Sequence, residues 1–271
     1  MRNAAATLIV ALVHNLAGLQ HWMMTGATGL APASDSRLAI GGLLTLIFAA
    51  LARWLRGVTH AGAMAGAVCC FVLYVGGGVG AFAALIAVFA LAWITTRLGY
   101  HRKQKLGIAE RREGRNAFQV LANLGVATVC AALYALGQIG LVHSKAVLLV
   151  AMSAALSEAA ADTVSSEVGQ AFGEKARLIT SWKSVPAGTN GAVSLTGTLA
   201  GIAAAGIVSA VCLLGGLVPM CWLPISLGAA ILGMFADSFL GAWLERRGLL
   251  NNDSVNFLST LVSAVASSWL T

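Results

Sequence analysis

The sequence predicts an all-α protein, a polytopic transmembrane helix bundle of about nine spans with its N-terminus in the cytoplasm. Of its 271 residues, 58% are hydrophobic and only 10% are charged. An average soluble domain carries about 25% charged residues, so this composition excludes an ordinary soluble fold. The apolar residues also fall into long stretches that match the ~30 Å hydrocarbon core of a bilayer.

Nine apolar stretches are long enough, or nearly long enough, to cross a membrane. The third and fourth are separated only by Gly76-Gly77-Gly78, and the first lacks the small-residue cleavage site that would follow a signal peptide. We expect one membrane domain over 1–271, with N-terminal spans in 1–96 and a motif-bearing half in 97–271. The stretches lie at residues 4–22, 38–54, 60–76, 79–96, 117–140, 145–163, 189–214, 220–241 and 254–270.

Small residues recur within these stretches at intervals of three and four. Such spacing is typical of membrane helices that pack closely, because a small side chain lets two backbones approach. One such stretch holds the glycines Gly191, Gly197, Gly201 and Gly206, among several alanines.

Basic residues are distributed asymmetrically between the two sides of the predicted bundle. With a cytoplasmic N-terminus, fifteen of the seventeen Lys and Arg residues lie in cytoplasmic segments, leaving Arg37 and Lys145 outside. This distribution follows the positive-inside rule and so orients the bundle. We expect a protein of the cytoplasmic, or inner, membrane. The net charge of +7 therefore reflects topology, and nucleic acid is not an expected partner.

Acidic residues are rare, and three of them lie at the ends of apolar stretches. Asp162 and Glu167 belong to the run Ala-Asp-Thr-Val-Ser-Ser-Glu-Val-Gly at 161–169, and Asp237 ends a later stretch. An aspartate at membrane depth costs about 2.5–3.5 kcal/mol, so these positions predict a polar, functional site.

These carboxylates suit a hard divalent cation. Mg²⁺ or Mn²⁺ takes one or two carboxylates together with phosphate oxygens and water, and we expect Asp162, Glu167 and Asp237 to be its catalytic ligands. Helical spacing places Glu158 and Asp162 on one face, while Glu167 points away from it. The same carboxylates would also suit a cation-coupled transporter, or ion pairs with nearby Lys and Arg.

The loop at 101–117 is strongly basic. Ammonium and guanidinium groups match phosphate oxygens, so Lys103, Lys105 and Arg115 are expected to bind a nucleotide or substrate phosphate. A loop that only sets topology, or lies on anionic lipid headgroups, would have the same composition.

Three amide side chains follow this loop at spacings of three and four residues. Asn116, Gln119 and Asn123 thus lie on one face of the fifth span, and such a stripe should face the bundle interior. The stripe fits a phosphate site, with Asn116 and Asn123 as ligands, or an interhelical hydrogen-bond seam.

Two further loops supply the remaining candidates. Near the start of the seventh span, Lys183, Thr189 and Asn190 accompany glycines that could present backbone amides to a phosphate, although no Walker motif is present. Before the last span, Asn252 and Asp253 could bind phosphate or metal, or could form only a turn and helix cap.

The loops at 97–117, 164–188 and 242–254 are all predicted to face the cytoplasm. A transporter more often places its ionisable site near the middle of the membrane, between repeats. One-sided polar loops favour an enzyme that takes a cytosolic phosphate donor and a substrate whose apolar tail stays in the lipid bilayer.

Over about residues 100–260, these motifs resemble the integral-membrane phytyl-phosphate kinase family of the plastid vitamin-E pathway, a distant relative of polyprenol kinases and CDP-diacylglycerol synthases. Where polyprenol kinases carry Lys-Thr-x-Glu-Gly, this chain has Gly-Thr-Asn-Gly at 188–191. The resemblance rests on Lys-Leu-Gly (105–107), Glu-Gly-Arg-Asn (113–116), Gln-Val-Leu-Ala-Asn (119–123), the 161–169 run, Gly-Thr-Asn-Gly-Ala-Val-Ser (188–194), Asp-Ser-Phe-Leu-Gly-Ala (237–242) and Asn-Asn-Asp-Ser-Val-Asn-Phe (251–257).

The resemblance implies a phosphotransferase with a phosphate group as acceptor. It would convert phytyl or geranylgeranyl monophosphate to the diphosphate, with CTP as the expected donor, Mg²⁺ as cofactor and an active site on the cytoplasmic face. Two alternatives stay open: a cation-coupled lipid-phosphate transporter or flippase, and a cytidylyltransferase that makes a CDP-lipid.

Overall fold

The computed structural model describes residues 35–110, 112–138, 145–173 and 175–271, and the first predicted span at 4–22 lies outside them. The described residues are mostly helical, which confirms the all-α prediction. The α-helices are α1 (Asp35–Trp54), α2 (His60–Arg97), α3 (Tyr100–Lys105), α4 (Ala117–Gln138), α5 (Lys145–Phe172), α6 (Leu195–Leu214), α7 (Leu223–Trp243) and α8 (Asn252–Leu270), with 3₁₀ turns at Met220–Trp222 and Glu245–Arg247.

Six helices in the described part of the chain are long and apolar enough to cross a membrane: α1, α2, α4, α5, α6 and α7. Every apolar stretch predicted from residue 38 onward coincides with a helix. Helix α8 is more polar than these six and packs against α4, α5 and α7. Its hydroxyl side chains at Ser259, Thr260, Ser263 and Ser267 are buried.

Helix α2 turns back on itself at Gly78, whose φ of 64° and ψ of −153° are open essentially to glycine alone. A straight helix of this length, 38 residues, would be about 57 Å long. Its ends instead meet, because the Trp93 indole N–H donates to the carbonyl of Leu55, just before the helix, at 3.1 Å. The predicted break at the triple glycine is therefore confirmed.

Helix α5 is the centre of the bundle and contacts α2, α4, α6, α7 and α8. Glycines of α6 allow a close approach: a Cβ on Gly197 would lie 2.6 Å from the Ser165 carbonyl oxygen, and one on Gly201 would lie 2.8 Å from the Ala161 carbonyl oxygen. The small-residue spacing thus predicted close packing correctly at these two positions. Gly206 of the same helix faces open space.

Replacing Gly201 with alanine should lower the free energy of unfolding by about 1–3 kcal/mol, because the new methyl group would overpack the α5–α6 contact. The added Cβ would also meet the Met234 sulfur at 2.5 Å. Gly206→Ala is the matched control and should be neutral or stabilise slightly, because alanine favours the helix and nothing lies within 4 Å. Thermal unfolding in detergent measures both, and equal stabilities for the two variants would contradict the packing argument.

The segment at 189–194 departs from the prediction. The seventh span is expected from residue 189, but helix α6 begins only at Leu195. The preceding residues form strand β2 (Ala192–Val193), which pairs antiparallel with β1 (Arg177–Leu178). Left-handed glycines in this loop prevent the helix from starting earlier, and the resulting two-stranded ribbon lies across one end of an otherwise helical bundle.

Candidate functional site

The interhelical loops come together at one end of the bundle. The segment before α2 meets the segment before α4, where the Thr59 N–H donates to the Arg115 carbonyl at 2.9 Å. The Arg102 guanidinium of α3 donates to the Ala171 carbonyl at the C-terminal end of α5, at 3.1 Å. A cation there also interacts favourably with the helix dipole, so these contacts fix the basic loop against α5.

A polar pocket of about 110 Å³ opens at this end. Two carboxylates from separate helices, Asp162 of α5 and Asp237 of α7, interact across it. Two carboxylates so placed repel one another unless they share a proton or a cation. The wall is completed by Ser165, Ser166, the loop 187–194, Ser238, Glu245 and Asn252.

The loop that covers this pocket depends on a glycine. Gly191 has a φ of 73°, and a Cβ on it would lie 2.4 Å from the backbone nitrogen of Ala242. Only glycine therefore allows the loop to rest on the end of α7. In this position the loop brings the predicted phosphate ligands Thr189 and Asn190 to the same pocket as Asp237.

Asn256 is a site residue that the sequence prediction does not include. With its amide nitrogen turned toward the acceptors, it donates to Asp237 Oδ2 at 3.3 Å and to the Asn252 carbonyl at 3.1 Å. The i, i+4 spacing of Asn252 and Asn256 is the sequence signal that could have found it. The neighbouring Asn251 is a helix cap, because its Oδ1 accepts from the Ser254 N–H at 2.8 Å.

Glu167 does not join the two aspartates. Its carboxylate accepts from Lys103 Nζ at 2.5 Å and from the Thr96 hydroxyl at 3.0 Å. No group of three or more His, Cys, Asp or Glu in the described residues is arranged to hold a metal ion. Of the three carboxylates expected to bind a metal, Glu167 therefore lies apart from Asp162 and Asp237, on the face of α5 that meets α2 and α3.

Lys103 is also unsuited to the phosphate-binding role expected of it. Its side chain is 1% exposed, and it donates to the Thr95 and Thr96 carbonyls at 3.1 and 2.8 Å as well as to Glu167. An ammonium group has three N–H donors, so none remains for a phosphate.

The other expected ligands on the basic side are spread over this end of the bundle. Lys105 and Lys183 are exposed, and neither lines the polar pocket. Asn116 and Gln119 form a reciprocal capping box at the start of α4, with bonds of 2.8 and 3.0 Å. Asn123 is buried and donates to the Gln119 carbonyl at 2.8 Å, while the Gln119 amide nitrogen donates to Glu110 Oε2 of the basic loop at 3.2 Å.

Asp253 lies outside the polar pocket and beside the Glu110 carboxylate. Burial raises the pKa of Asp253, and the charge of Glu110 raises it further. Two neighbouring carboxylates repel a phosphate, so the structure gives no support to Asp253 as a phosphate ligand.

A larger cavity of about 420 Å³ lies among α1, both halves of α2, and α4. Its walls are mostly apolar, and its rim carries Arg56, Arg97, Arg112 and Arg115. Arg115 links the two cavities: it donates to the Thr163 hydroxyl at 3.5 Å and interacts electrostatically with Asp162. The sequence prediction includes only Arg115 of these four. Arg112 belongs to the same basic loop but is not singled out, and Arg56 and Arg97 come from other segments that share no motif with it.

Glu158 lies one helical turn from Asp162, deeper in α5. Its side chain is 1% exposed, and neither carboxylate oxygen has a hydrogen-bond partner among the described residues. The Ser259 hydroxyl is nearby but donates to the Asn256 carbonyl at 2.9 Å. An uncompensated carboxyl group therefore lies inside the bundle, where its charged form is costly.

Replacing Glu158 with leucine should raise the free energy of unfolding by about 1–3 kcal/mol, because two unpaired buried oxygens are removed at similar volume. Glu158→Gln is the matched control. Its free energy of unfolding should rise less, because the buried amide group would still have no hydrogen-bond partner. Thermal unfolding in detergent compares the two. A less stable leucine variant would show that the carboxyl group has a bound partner in the native protein.

Comparison with known proteins places the chain in a family. The family described as integral membrane protein DUF92 matches residues 43–264. An uncharacterized membrane protein of Methanocaldococcus jannaschii is 30% identical over 84% of this chain and 92% of its own length. An uncharacterized membrane protein of Synechocystis is 37% identical over 66% of this chain and 69% of its own length.

A plant relative is also similar. The chloroplastic protein VTE6 of Arabidopsis thaliana is 32% identical over 70% of this chain, and the match spans 58% of VTE6. No solved structure matches the chain. Because the family match covers most of the sequence and includes both cavities, the chain belongs to the DUF92 family of integral membrane proteins.

Proposed function

We propose that the protein phosphorylates an isoprenyl monophosphate to the diphosphate, with CTP as the donor. The observation that carries this proposal is the polar pocket, in which Asp162 and Asp237 interact beneath a loop of hydroxyl, amide and glycine residues. Phosphoryl transfer needs positioning and charge neutralisation more than covalent chemistry, and such a pocket is suited to both. The motif resemblance to phytyl-phosphate kinases supports the isoprenyl acceptor, and similarity to a chloroplastic protein agrees with it.

A divalent cation, Mg²⁺ or Mn²⁺, fits the donor set of this pocket. Asp162 and Asp237 would hold it, since two interacting carboxylates are stable when a cation lies between them, and Asn256 orients Asp237. When bound, the cation supplies neutralisation of the charge on the donor phosphates. Glu167 is not part of this proposed set.

The remaining pocket residues would bind and orient the phosphates. Asn190 and Asn252 line the pocket with amide groups that can donate hydrogen bonds. Thr189 lines it as well, but its hydroxyl donates to the Pro186 carbonyl at 2.7 Å and would have to exchange that bond for one to a phosphate. Arg115 lies between this pocket and the apolar cavity, where its charge would hold an acceptor phosphate. The acceptor is already an anion, so the reaction needs no strong general base.

We also propose nine spans with a cytoplasmic N-terminus. Nine crossings follow if both halves of α2, together with α8 and the stretch at 4–22, cross the membrane beside the other five long helices. The rim arginines, the basic loop and the polar pocket share one end of the bundle. By the positive-inside rule that end faces the cytoplasm, where nucleoside triphosphates are available.

A transfer assay with purified protein tests the proposed reaction. It combines Mg²⁺ and geranylgeranyl monophosphate with CTP, ATP, GTP or UTP, each labelled in the γ-phosphate. Label in a lipid diphosphate, with CDP released from CTP, would support the kinase. Pyrophosphate release with formation of a CDP-lipid would replace it with the cytidylyltransferase, and no transfer by folded protein from any donor would overturn it.

A cation-coupled transporter of lipid phosphates is the second candidate. The observation that favours it is Glu158, a buried carboxyl group without a hydrogen-bond partner in the described residues, one turn below Asp162. Such a group inside a membrane protein is a common feature of ion pathways. Flux of labelled lipid phosphate into proteoliposomes, driven by a cation gradient and lost in Glu158→Gln, would support the transporter.

A further inference from the structure

The apolar cavity extends deep into the bundle. Arg97 lies at its rim and Leu85 at its floor, on the same half of α2. Their separation of 12 residues corresponds to a depth of about 18 Å along the helix. The walls between them are mostly apolar, with aromatic side chains such as Phe48 and Phe89. A space of this shape and lining suits an extended hydrocarbon chain.

The rim of the cavity is positively charged. Four arginines, Arg56, Arg97, Arg112 and Arg115, line it against one carboxylate, Glu110, which leaves an excess of positive charge. Guanidinium groups match the oxygens of a phosphate. Arg56 has a φ of 53°, in the left-handed region that non-glycine residues seldom adopt. Retaining an arginine at a strained position is typical of a functional site.

The rim also adjoins the polar pocket. Arg115 lines the cavity, and its guanidinium donates to Thr163, the residue that follows Asp162. A phosphate held at the rim would therefore lie next to the carboxylates that we propose to bind the donor. The apolar cavity, the rim arginines and the polar pocket are thus adjacent sites for the tail of a lipid, for its phosphate and for a phosphate donor.

The volume discriminates between kinds of lipid. A cavity of roughly 150 Å³ holds one benzene ring of six carbons, so about 420 Å³ has room for roughly 15–20 carbons. A single isoprenyl chain fits this space, whereas the two acyl chains of a phospholipid do not. We propose that the cavity is the acceptor site for a single-chain lipid monophosphate, with the phosphate bound by the rim arginines. This inference rests on the proposed function and names where its acceptor binds.

Gly66 allows the cavity to be filled without disturbing the backbone. It lines the cavity, and a Cβ on it would meet only Val120, at an ordinary contact distance of 3.9 Å. Gly66→Leu should therefore fold and occupy the space of the tail. Gly206→Leu is the matched control, because Gly206 is also helical, lies outside the cavity and has nothing within 4 Å.

Binding of labelled geranylgeranyl monophosphate to protein in nanodiscs tests the inference without requiring turnover. We expect the affinity to fall at least tenfold in Gly66→Leu and to stay within twofold in Gly206→Leu. Equal affinities of Gly66→Leu and the wild-type protein would overturn the inference.

Arg56→Gly tests the charged rim. Glycine accepts a φ of 53° without strain, so this variant should be at least as stable as the wild type while losing a guanidinium group. We expect geranylgeranyl monophosphate to bind several-fold more weakly and uncharged geranylgeraniol to bind equally well. If the affinity falls equally for both lipids, or falls for neither, the assignment of the phosphate to this rim is wrong.

Competition separates the ligand from membrane phospholipid and from free phosphate. Unlabelled geranylgeranyl monophosphate should displace the label, whereas dioleoyl phosphatidic acid and inorganic phosphate should not at the same concentration. Displacement by either of the last two would contradict a single-chain site. If the lipid binds in the cavity but no phosphoryl group is transferred, the proposed kinase activity is wrong and this inference stands. If Gly66→Leu leaves the rate of phosphoryl transfer unchanged, this inference is wrong and the kinase activity stands.

Discussion

Replacing Asp162 with asparagine should reduce phosphoryl transfer by about 10²–10³-fold while the protein remains folded. The substitution keeps the size of the side chain but removes one of the two charges that interact across the polar pocket. Two carboxylates without a cation repel each other, so the asparagine variant should be at least as stable as the wild-type protein in metal-free buffer. Activity and stability should thus change in opposite directions.

Metal-dependent stability gives a readout of this site that does not depend on turnover. Mg²⁺ should raise the unfolding temperature of the wild-type protein, because a ligand that binds only the native state stabilises it. It should not raise that of Asp162→Asn or Asp237→Asn, and the double variant should lose little further activity because the two residues act together. Glu113→Gln is the control, since Glu113 is exposed and lines neither cavity. An Asp162→Asn protein that retains both transfer and the Mg²⁺ response would refute the assignment.

Replacing Lys103 with methionine should lower the free energy of unfolding by up to about 3–5 kcal/mol, because it leaves the largely buried Glu167 carboxylate without its cation. The pair has a separation of 2.5 Å, with side-chain exposures of 1% and 13%. Lys103 also bonds the Thr95 and Thr96 carbonyls near the end of α2, so the loss should loosen the contact between α2 and α5. Chemical or thermal unfolding in detergent measures the effect.

Two further variants show whether the loss of the Lys103–Glu167 ion pair causes the lower stability of Lys103→Met. Lys105→Met changes a lysine two residues further on that is exposed, and it should be neutral. The double variant Lys103→Met with Glu167→Gln removes both charges and should recover part of the lost stability, because no buried charge is left unpaired. If the double variant is as unstable as the sum of its single changes, the buried-charge explanation fails.

Much of the fold could be predicted because its signals are local. Hydrophobic stretches gave the positions of the helices from residue 38 onward, since the length needed to cross a bilayer is a property of a continuous segment. The break at Gly76–Gly78 was visible because only glycine adopts the conformation found at Gly78. The start of α6 was misjudged because the apolar and small residues at 189–194 suit both a helix and the ribbon that they form.

The candidate site could be predicted only in part. Helical periodicity correctly turned Glu167 away from the face of α5 that carries Asp162. Periodicity does not indicate which residues pack against the other face of the helix. It therefore cannot predict the ion pair between Glu167 and Lys103, which lies 64 residues away in the sequence. Asn256 was missed for a related reason, because its role depends on the neighbouring helix that carries Asp237.

The sequence by itself determined the membrane class, the helix positions, the break in α2 and the side of α5 that carries the site. Each of these follows from composition or from the helical period within one segment. The tertiary structure decided that Asp162 lies close to Asp237 and that Lys103 forms an ion pair with Glu167. It also decided that four arginines line one apolar cavity. These features depend on contacts between segments that are far apart in the sequence. Glycines allow helices to pack closely, but they do not specify which helix packs against which.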